Sequence, residues 1–315
     1  MSLSHVLLQV LQGIVAVAIA PLVLGWLNQC RAWLQNRRAP ALMQPYRVLL
    51  KLLRKELVLA TNASWLFRLA PYVVFACMVL AATIVPLVAT DLPFAQAADV
   101  IALVGLLALA RVFMALAAMD VGTAFGSLGS RREMFIAALA EPALLMVFFT
   151  PALISQSTAL TTIVDQFSNG ALHLYPSMAF AAIAFVMVLL AENARIPVDN
   201  PSTHLELTMV HEAMILEYSG RHLALMDWAH ALKLTVYIGI GIALFLPWGI
   251  AQPQAWTGLP LALAALVAKL ALAGAGLALL ETLAAKMRIF KVPEFLGMAF
   301  MLAVLGMLVH FLVET

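Results

Sequence analysis

Long apolar stretches, separated by short polar segments, recur along the whole chain. Eight of them approach or exceed the length of about 20 residues that a helix needs to cross the hydrocarbon layer of a bilayer. They are Leu3–Leu27, Leu69–Ala89, Asp99–Met119, Glu133–Ser155, His173–Glu192, Lys233–Ala251, Leu259–Glu281 and Glu294–Leu312. The first stretch is too long for the apolar part of a signal peptide and should stay in the mature protein. The pattern predicts an all-α integral membrane protein with about eight transmembrane helices, as a single polytopic membrane domain over residues 1–315.

The basic residues predict how these helices are oriented. Of the 18 Lys and Arg residues, 16 lie on alternate loops: eight between spans one and two, two between spans three and four, and three on each of the next two alternate loops. Cytoplasmic loops of membrane proteins are enriched in Lys and Arg. We therefore expect these loops to face the cytoplasm and both termini to face outside.

Composition makes the bilayer the expected solvent of this chain and narrows its functions. Only 11% of the residues are charged, against about 25% in ordinary globular domains. A net charge of +2 provides no basic patch for a nucleic-acid partner. Cys30 and Cys77 lack the spacing of a metal or iron–sulfur site. We expect no nucleic-acid partner, no metal or iron–sulfur cluster held by this chain and no catalytic residue in it; a bound quinone stays open.

Several charged residues fall inside the apolar stretches or at their ends. An isolated ionised group at the centre of a span costs about 2.5–3.5 kcal/mol on insertion scales. Such groups mark proton or ion routes, or they form structural ion pairs that hold helices together. Arginine holds its proton too tightly to relay it, so Arg111 is expected to tune a neighbouring group. The residues in question are Arg111, Lys269, Glu141, Asp120, Glu192 and Glu281.

Two segments carry signals for the start of a helix. Ser130-Arg-Arg-Glu133 has the spacing of a capping box, which predicts that a helix begins there. Asn200-Pro201 is typical of an N-cap followed by proline at the first helical position. The second signal predicts a helix from Asn200 to Tyr218 on the cytoplasmic side.

This predicted cytoplasmic helix is dense in ionisable groups, namely His204, Glu206, His211, Glu212 and Glu217. The two histidines would lie about 10 Å apart along the helix, which is too far for one metal ion. A solvated face and a titratable cluster beneath a docked partner both fit this composition. Histidine titrates near neutral pH, which favours the cluster.

A basic amphipathic helix is predicted in the loop between spans one and two. Its basic face consists of Arg47, Lys51, Arg54 and Lys55, with valine and leucine side chains opposite. Helices of this kind commonly lie at the membrane surface, and the same face is suited to bind a cytoplasmic partner. Arg195 and Arg221, on the loop between spans five and six, complete the predicted docking set.

Several short motifs, in a fixed order along the chain, resemble those of a known family of membrane subunits. The chain is similar to the membrane subunit of respiratory complex I that joins the hydrophilic arm to the proton-pumping arm. It is closer still to the counterparts of that subunit in energy-converting group 4 nickel–iron hydrogenases of the formate hydrogenlyase and hydrogenase-4 type. The motifs that carry the resemblance are Arg38-Ala-Pro40, Gln44-Pro45-Tyr46, Lys51-Leu52, Lys55-Glu56, Asp120-Val-Gly122 through Gly129-Ser-Arg-Arg-Glu133, Glu141-Pro142, Glu192 with Arg195-Ile-Pro-Val-Asp199, and Glu217-Tyr-Ser-Gly220.

The resemblance implies a non-catalytic subunit of an oxidoreductase complex in a prokaryotic cytoplasmic (inner) membrane. Its expected partners are hydrogenase-like large and small (Fe–S) subunits on the cytoplasmic side, and antiporter-like subunits in the membrane. Iron–sulfur clusters, and a nickel–iron centre where one is retained, belong to those partners. Family positions of the ion-coupling route fall on Asp120, Glu133, Glu141, Glu192, Asp199, Glu206 and Glu217. His204, His211, Glu212, Arg111 and Lys269 are added as ion-coupling candidates from their charge and position.

One departure separates the chain from complex I. A glutamate-rich run of complex I reads here Pro201-Ser-Thr-His204-Leu-Glu206, so Ser202 and His204 replace two carboxylates. This favours the hydrogenase branch over a complex I-type subunit that forms part of a quinone site, which stays as the alternative. A free-standing secondary transporter would show internal repeats with matching broken spans, and a membrane-embedded enzyme would show a nucleophile–base pair or a metal set. Neither pattern is present in the sequence.

Reporter fusions test the predicted topology. Fusions at Gln96, Gln166 and Gln254 should report the outside of the membrane, and fusions at Gln35 and Arg288 should report the cytoplasm. The physical reason is the concentration of basic residues on alternate loops. A cytoplasmic signal at Gln166 would contradict the eight-span arrangement.

Overall fold

The computed structural model describes residues 3–86, 99–169, 175–199, 209–249 and 259–314. Within these ranges the chain is nearly all helical and forms no β-strand. The helices are α1 (Leu3–Leu34), α2 (Gln44–Leu53), α3 (Trp65–Ile84), α4 (Val100–Asp120), α5 (Ala124–Ser155), α6 (Leu160–Asn169), α7 (Pro176–Glu192), α8 (His211–Ile215), α9 (Gly220–Phe245), α10 (Leu259–Leu283) and α11 (Val292–Val309), with short 3₁₀ and π turns on either side of α11.

The helices confirm the prediction of an all-α multi-pass membrane protein. In the described ranges, seven helices are long and apolar enough to cross a bilayer, and α7, with 17 residues, is a shorter apolar helix. These eight helices match the eight predicted spans, but several boundaries differ. Helix α1 continues to Leu34, and α9 begins at Gly220 instead of Lys233. Hydropathy alone underestimates the length of α9 because the first turns of this helix carry polar side chains.

The predicted capping box at Ser130 is wrong. Helix α5 begins earlier, after Thr123, whose Oγ1 accepts a hydrogen bond from the backbone N–H of Gly126 at 3.3 Å. Ser130 is fully buried inside the helix, and its hydroxyl donates to the carbonyl of Ala115 at 3.0 Å. The serine therefore joins α5 to α4 instead of starting α5.

The predicted helix from Asn200 to Tyr218 is not continuous. Its described part contains only α8, which begins at His211 and ends before Glu217. The backbone ahead of α8 bonds to side chains instead of a helical ladder. The carbonyl of Met209 accepts from Arg132 Nη1 at 3.0 Å, and the N–H of Val210 donates to a carboxylate oxygen of Asp199 at 3.3 Å. Two residues of the predicted cluster, His204 and Glu206, lie outside the described residues.

The predicted amphipathic helix is α2, which packs against α1 and α9. Leu49 is buried on its inner face, whereas Arg47 and Lys51 are exposed. Pro45 occupies the first turn, where the absence of an N–H breaks no helical bond. Arg54 and Lys55 follow the last turn and are exposed as well.

Helix α9 is the central helix of the bundle. In its apolar window 72% of the residues are buried, against 28% in the windows of α10 and α11. It contacts α1, α2, α3 and α7, while α4 packs between α3 and α5, and α11 packs on α5 and α7. The peripheral helices leave large apolar side chains such as Leu272 and Met301 exposed, as expected for a surface that meets lipid.

Gly129 sets how closely α8 approaches α5. A Cβ at this position would lie 2.8 Å from Ala213 Cβ and 2.8 Å from the carbonyl oxygen of Val210. Both distances are shorter than van der Waals contact, so only glycine permits this packing. Because His211 opens α8, the same contact positions that histidine.

We expect Gly129→Ala to lower the thermal unfolding midpoint of the purified protein by several degrees, because overpacking of a tight contact costs about 1–3 kcal/mol. Gly105→Ala is the matched control, since a Cβ there meets nothing within 4 Å. Differential scanning fluorimetry in detergent measures both. An unchanged midpoint in Gly129→Ala would show that α8 moves away from α5 freely.

Candidate functional site

Arg111 lies at the centre of a cluster of buried charges. Helix α4 places it in the interior, where it is 4% exposed. Its Nη1 donates to Glu141 Oε1 at 2.7 Å, its Nη2 donates to Glu192 Oε2, and its Nε lies 3.6 Å from Glu133 Oε1. Three carboxylates from α5 and α7 thus converge on one guanidinium, whose fan of N–H donors suits several acceptors at once.

Lys233 brings a second cation to this cluster from α9. Its Nζ lies 3.2 Å from Glu192 Oε2, the same oxygen that Arg111 contacts. The ring of Tyr237, one turn further along α9, is centred 6.0 Å from the ammonium. Glu192 is therefore held between two cations from different helices. We name Arg111, Glu133, Glu141, Glu192 and Lys233 the Arg111 network.

The formal charge of the Arg111 network suits proton uptake. Three carboxylates face two cations in the described structure, so the fully ionised set carries one excess negative charge. A low-dielectric interior disfavours uncompensated charge. One proton bound anywhere in the set would make it neutral, and such a set can take up and release a proton as its surroundings change.

Glu141 lies at the outer edge of the Arg111 network. Its side chain is 34% exposed, whereas the side chain of Glu192 is 1% exposed. Glu141 lies near the middle of α5, one of the helices that are long and apolar enough to cross a membrane. Glu192 and Glu133 form the inner part of the same network.

Lys269, the other basic residue in the middle of a predicted span, lies away from the Arg111 network. Its Nζ donates to the carbonyls of Leu246 and Trp248 at the end of α9. A cation at this point satisfies carbonyls that have no helical partner and interacts favourably with the helix dipole. The contacts of Lys269 are therefore those of a helix cap.

The remaining predicted site residues form smaller groups around the Arg111 network. Asp199 pairs with Lys286 at 3.4 Å. Asp120, at the end of α4, accepts a hydrogen bond from the backbone N–H of Ser64 at 2.8 Å. Glu212 and Glu217 are partly exposed on and after α8. Among the described residues, Asp120 and Asp199 thus bond to partners outside the Arg111 network.

Arg195 does not fit the predicted docking surface, because it is only 2% exposed. Its Nη1 lies 3.4 Å from Glu281 Oε1, and Arg31 Nη1 lies 3.5 Å from the other oxygen of the same carboxylate. This triad ties α1 and α10 to the segment after α7. Burial lowers the pKa of Arg195, and the charge of Glu281 opposes that effect.

Five exposed basic residues of the predicted docking set lie on two segments that contact each other. Arg47, Lys51, Arg54 and Lys55 of α2 and its end are exposed, and so is Arg221 at the start of α9. The two segments are joined at Ser219, whose Oγ donates to the carbonyl of Val58 at 2.6 Å and accepts from its N–H at 2.9 Å. Gly220, with φ +50, allows the backbone to pass close to Glu56. We name these five basic residues the basic platform.

Two cavities lie next to the Arg111 network. The larger, of about 530 Å³, is lined by residues of α1, α2, α8 and α9, including Glu212 and Asp227. The smaller, of about 20 Å³, is lined by Arg111, Glu133 and Lys233. His211 and His230 line both cavities, and their ring centroids are 4.5 Å apart.

His211 is neutral at ordinary pH although it lines the larger cavity. Burial, followed by the positive charges of Lys233 and Arg195, lowers its pKa to about 4. A neutral imidazole offers one N–H donor and one bare nitrogen acceptor. In the described residues, no group of three or more His, Cys, Asp or Glu side chains is arranged to hold a metal ion.

Sequence reasoning missed a polar stripe on α9. Asp227, His230, Lys233 and Tyr237 follow one another at spacings of three or four residues, which places them on one helix face. Hydropathy places the start of the sixth span at Lys233. The count of basic residues therefore assigned this lysine to the preceding loop, which was predicted to be cytoplasmic. The regular spacing was the signal that could have identified an interior face.

Comparison with known proteins identifies the family. Residues 6–312 match the family described as NADH dehydrogenase. The chain is 34% identical to formate hydrogenlyase subunit 4 of Escherichia coli K12, over 92% of this chain and 93% of that protein. It is 36% identical to hydrogenase-4 component C of the same organism, over 76% and 75% of the two chains.

More distant similarities are consistent with this family. A subunit of the NADH-quinone oxidoreductase of Phocaeicola vulgatus is 26% identical, over 69% of this chain and 61% of that one. A chain in the structure of the membrane-bound sulfane sulfur reductase, an archaeal respiratory membrane complex, superposes with a TM-score of 0.84 at 19% identity, over 97% of this chain and 99% of its own length. That likeness shows a shared fold. The chain belongs to the NADH dehydrogenase family of membrane subunits, of the complex I subunit 1 type.

Proposed function

We propose that the chain is the membrane-anchoring and ion-coupling subunit of an energy-converting nickel–iron hydrogenase or a hydrogenase-related complex. In this role it links a cytoplasmic iron–sulfur redox arm to the movement of protons, or of sodium ions, through the membrane. Two of its relatives are components of formate hydrogenlyase and hydrogenase-4, which supports this role. The chain performs no redox chemistry itself.

The Arg111 network is the observation that carries this proposal. It connects α4, α5, α7 and α9 through ion pairs and has one carboxylate more than it has cations among the described residues. A purely structural network would be expected to balance its charges, because an uncompensated buried charge is costly. The excess carboxylate supports a network that binds and releases a proton during turnover.

The position of the network suits a coupling role. Its inner end borders the small cavity beside α8, and its outer end is the exposed side chain of Glu141. A neighbouring membrane subunit of the antiporter-like type, placed against Glu141, would receive or supply the charge. Changes in a redox subunit docked near α8 would alter the field at the inner end.

The basic platform is the proposed docking surface for the redox arm. Its five cations are exposed and connected through the Ser219–Val58 contact. Complementary charge on a partner steers association and sets its orientation. The hydrogenase-like large and small subunits, which would hold the iron–sulfur clusters and any nickel–iron centre, are the proposed occupants.

A second candidate function is a quinone site of the complex I type. The cavity of about 530 Å³ has apolar walls from Pro21, Leu24 and Leu49 and polar groups from His211 and Asp227, which fits a head group with a ring and a carbonyl. A subunit of an NADH-quinone oxidoreductase is among the relatives. Reduction of an added short-chain quinone by the assembled complex distinguishes this candidate from the first.

Glu141→Gln tests the coupling role. The amide keeps the shape and the hydrogen bond to Arg111 but cannot bind or release a proton. We expect normal assembly and normal cluster content in the partners, with redox-linked ion movement reduced about tenfold or more. Proton movement in membrane vesicles that contain the complex measures the effect.

Glu294→Gln is the matched control for this substitution. Glu294 is an exposed carboxylate in the first turn of α11 and is outside the Arg111 network, so the variant should move ions as the wild type does. Normal ion movement in Glu141→Gln would show that Glu141 is a member of a structural ion pair.

Site-specific photo-crosslinking tests the basic platform. A photoreactive residue at Lys51 or Arg221 should capture a cluster-bearing soluble subunit, because both side chains are exposed on the basic platform. Leu272 on α10, which is 74% exposed, is the control and should capture lipid or a membrane subunit. Mass spectrometry identifies the products. Capture of lipid alone at Lys51 and Arg221 would contradict the docking proposal.

A further inference from the structure

The two cavities beside the Arg111 network meet at one pair of side chains. Among the described residues, His211 and His230 are the two that line both the cavity of about 530 Å³ and the cavity of about 20 Å³. Their rings are tilted by 35° with centroids 4.5 Å apart. His211 comes from α8 and His230 from α9, so the pair forms where the short helix meets the central helix.

We propose that His211 and His230 form a proton-transfer site through which protons pass, one at a time, between the larger cavity and the Arg111 network. The inference rests on the proposed coupling function, to which it adds the place where the network exchanges protons with the cytoplasmic side. It involves His230, which sequence reasoning did not single out, and it gives His211 a defined chemical task.

The transfer step follows from the chemistry of neutral imidazole. A proton from the larger cavity forms an N–H bond on the bare nitrogen of a ring. The proton on the other nitrogen of that ring leaves to a water molecule in the smaller cavity, or to the carboxylate of Glu133 on its wall. On the donor side an O–H bond of a carboxyl group or water breaks as the new N–H bond forms. On the acceptor side the other N–H bond breaks as an O–H bond forms, with no transfer of electrons. The ring is left in its other tautomer, and it must turn over before it can carry the next proton in the same direction. A volume of about 20 Å³ has room for about one water molecule.

The charges around the pair favour this neutral resting state. Burial, followed by the positive charges of Lys233 and Arg195, lowers the pKa of His211 to about 4, so the ring is neutral at pH 7. Two imidazolium ions at 4.5 Å would repel each other strongly in a low-dielectric interior. The pair therefore holds one excess proton at most.

Acidic groups stand on both sides of the pair. Asp227, one turn before His230 on α9, and Glu212, next to His211 on α8, line the larger cavity. Glu133 lines the smaller cavity, with Arg111 and Lys233 beside it. A carboxyl group is thus available to deliver a proton on one side, and a carboxylate is available to accept it on the other.

The competing explanation is that the two rings merely pack together. In that case an aromatic ring of similar area without nitrogen would preserve function. His230→Phe and His211→Phe therefore separate packing from proton transfer, and His230→Gln serves if the larger ring disturbs assembly. His222→Phe is the matched control, because His222 is a buried histidine of the same helix that packs against Tyr72 and lines neither cavity.

The experiment uses the assembled complex in inside-out membrane vesicles, with dithionite-reduced methyl viologen as electron donor. Hydrogen production and the movement of protons are measured separately, the latter with a pH-sensitive dye. We expect His230→Phe and His211→Phe to move protons at about a tenth of the wild-type rate or below. The cluster content of both variants should be unchanged, and His222→Phe should move protons at close to the wild-type rate. In His230→Ala, added imidazole should restore a large part of the lost proton movement, because the open cavity admits it.

Glu141→Gln serves as the reference variant that separates the two proposals. If Glu141→Gln loses proton movement while both phenylalanine variants keep it, the histidine site is overturned and the coupling function stands. If hydrogen production proceeds and none of these variants alters proton movement, both proposals fall. Loss of proton movement in His230→Gln and His230→Ala that imidazole does not restore would assign the pair a structural role.

Discussion

The structure depends on the contact of one buried guanidinium with three carboxylates. Arg111 is 4% exposed and reaches Glu133, Glu141 and Glu192 from the interior of α4. Leaving a buried charge without its partner costs about 3–5 kcal/mol, so α4, α5 and α7 cannot shift independently without breaking a contact of this kind. Lys233 extends the same constraint to α9. The network thus holds the helices in register and provides the titratable groups of the site.

Close packing and irregular backbone bring α8 to this network. Gly129 lets α8 approach α5, and side-chain bonds from Arg132 and Asp199 hold the non-helical residues before α8. His211 is thereby set against His230, between a cavity lined by α1 and α2 and one that borders Arg111. The same backbone that interrupts the expected helix creates the contact between the two sides of the site.

Different parts of the molecular surface differ in polarity. The basic platform is exposed and polar, whereas α10 and α11 present large apolar side chains. Glu141 is a charged residue within an apolar helix, and a third of its side chain is exposed. A carboxylate in that position is costly against lipid, which favours a protein neighbour there.

The sequence alone determined the spans, the amphipathic helix α2 and the identity of most charged residues in the membrane, because hydropathy and charge placement are local properties. Family resemblance pointed to Glu133, Glu141 and Glu192. Only the tertiary structure decided which charges pair. Arg111 meets carboxylates 30 and 81 residues away, and Lys269, equally central in its span, caps α9 instead. The tertiary structure also shows that Arg195 is buried in the interior and that Lys233 and His230 belong to the site. Pairing of this kind depends on how helices pack around one another, and no local pattern records which faces will meet.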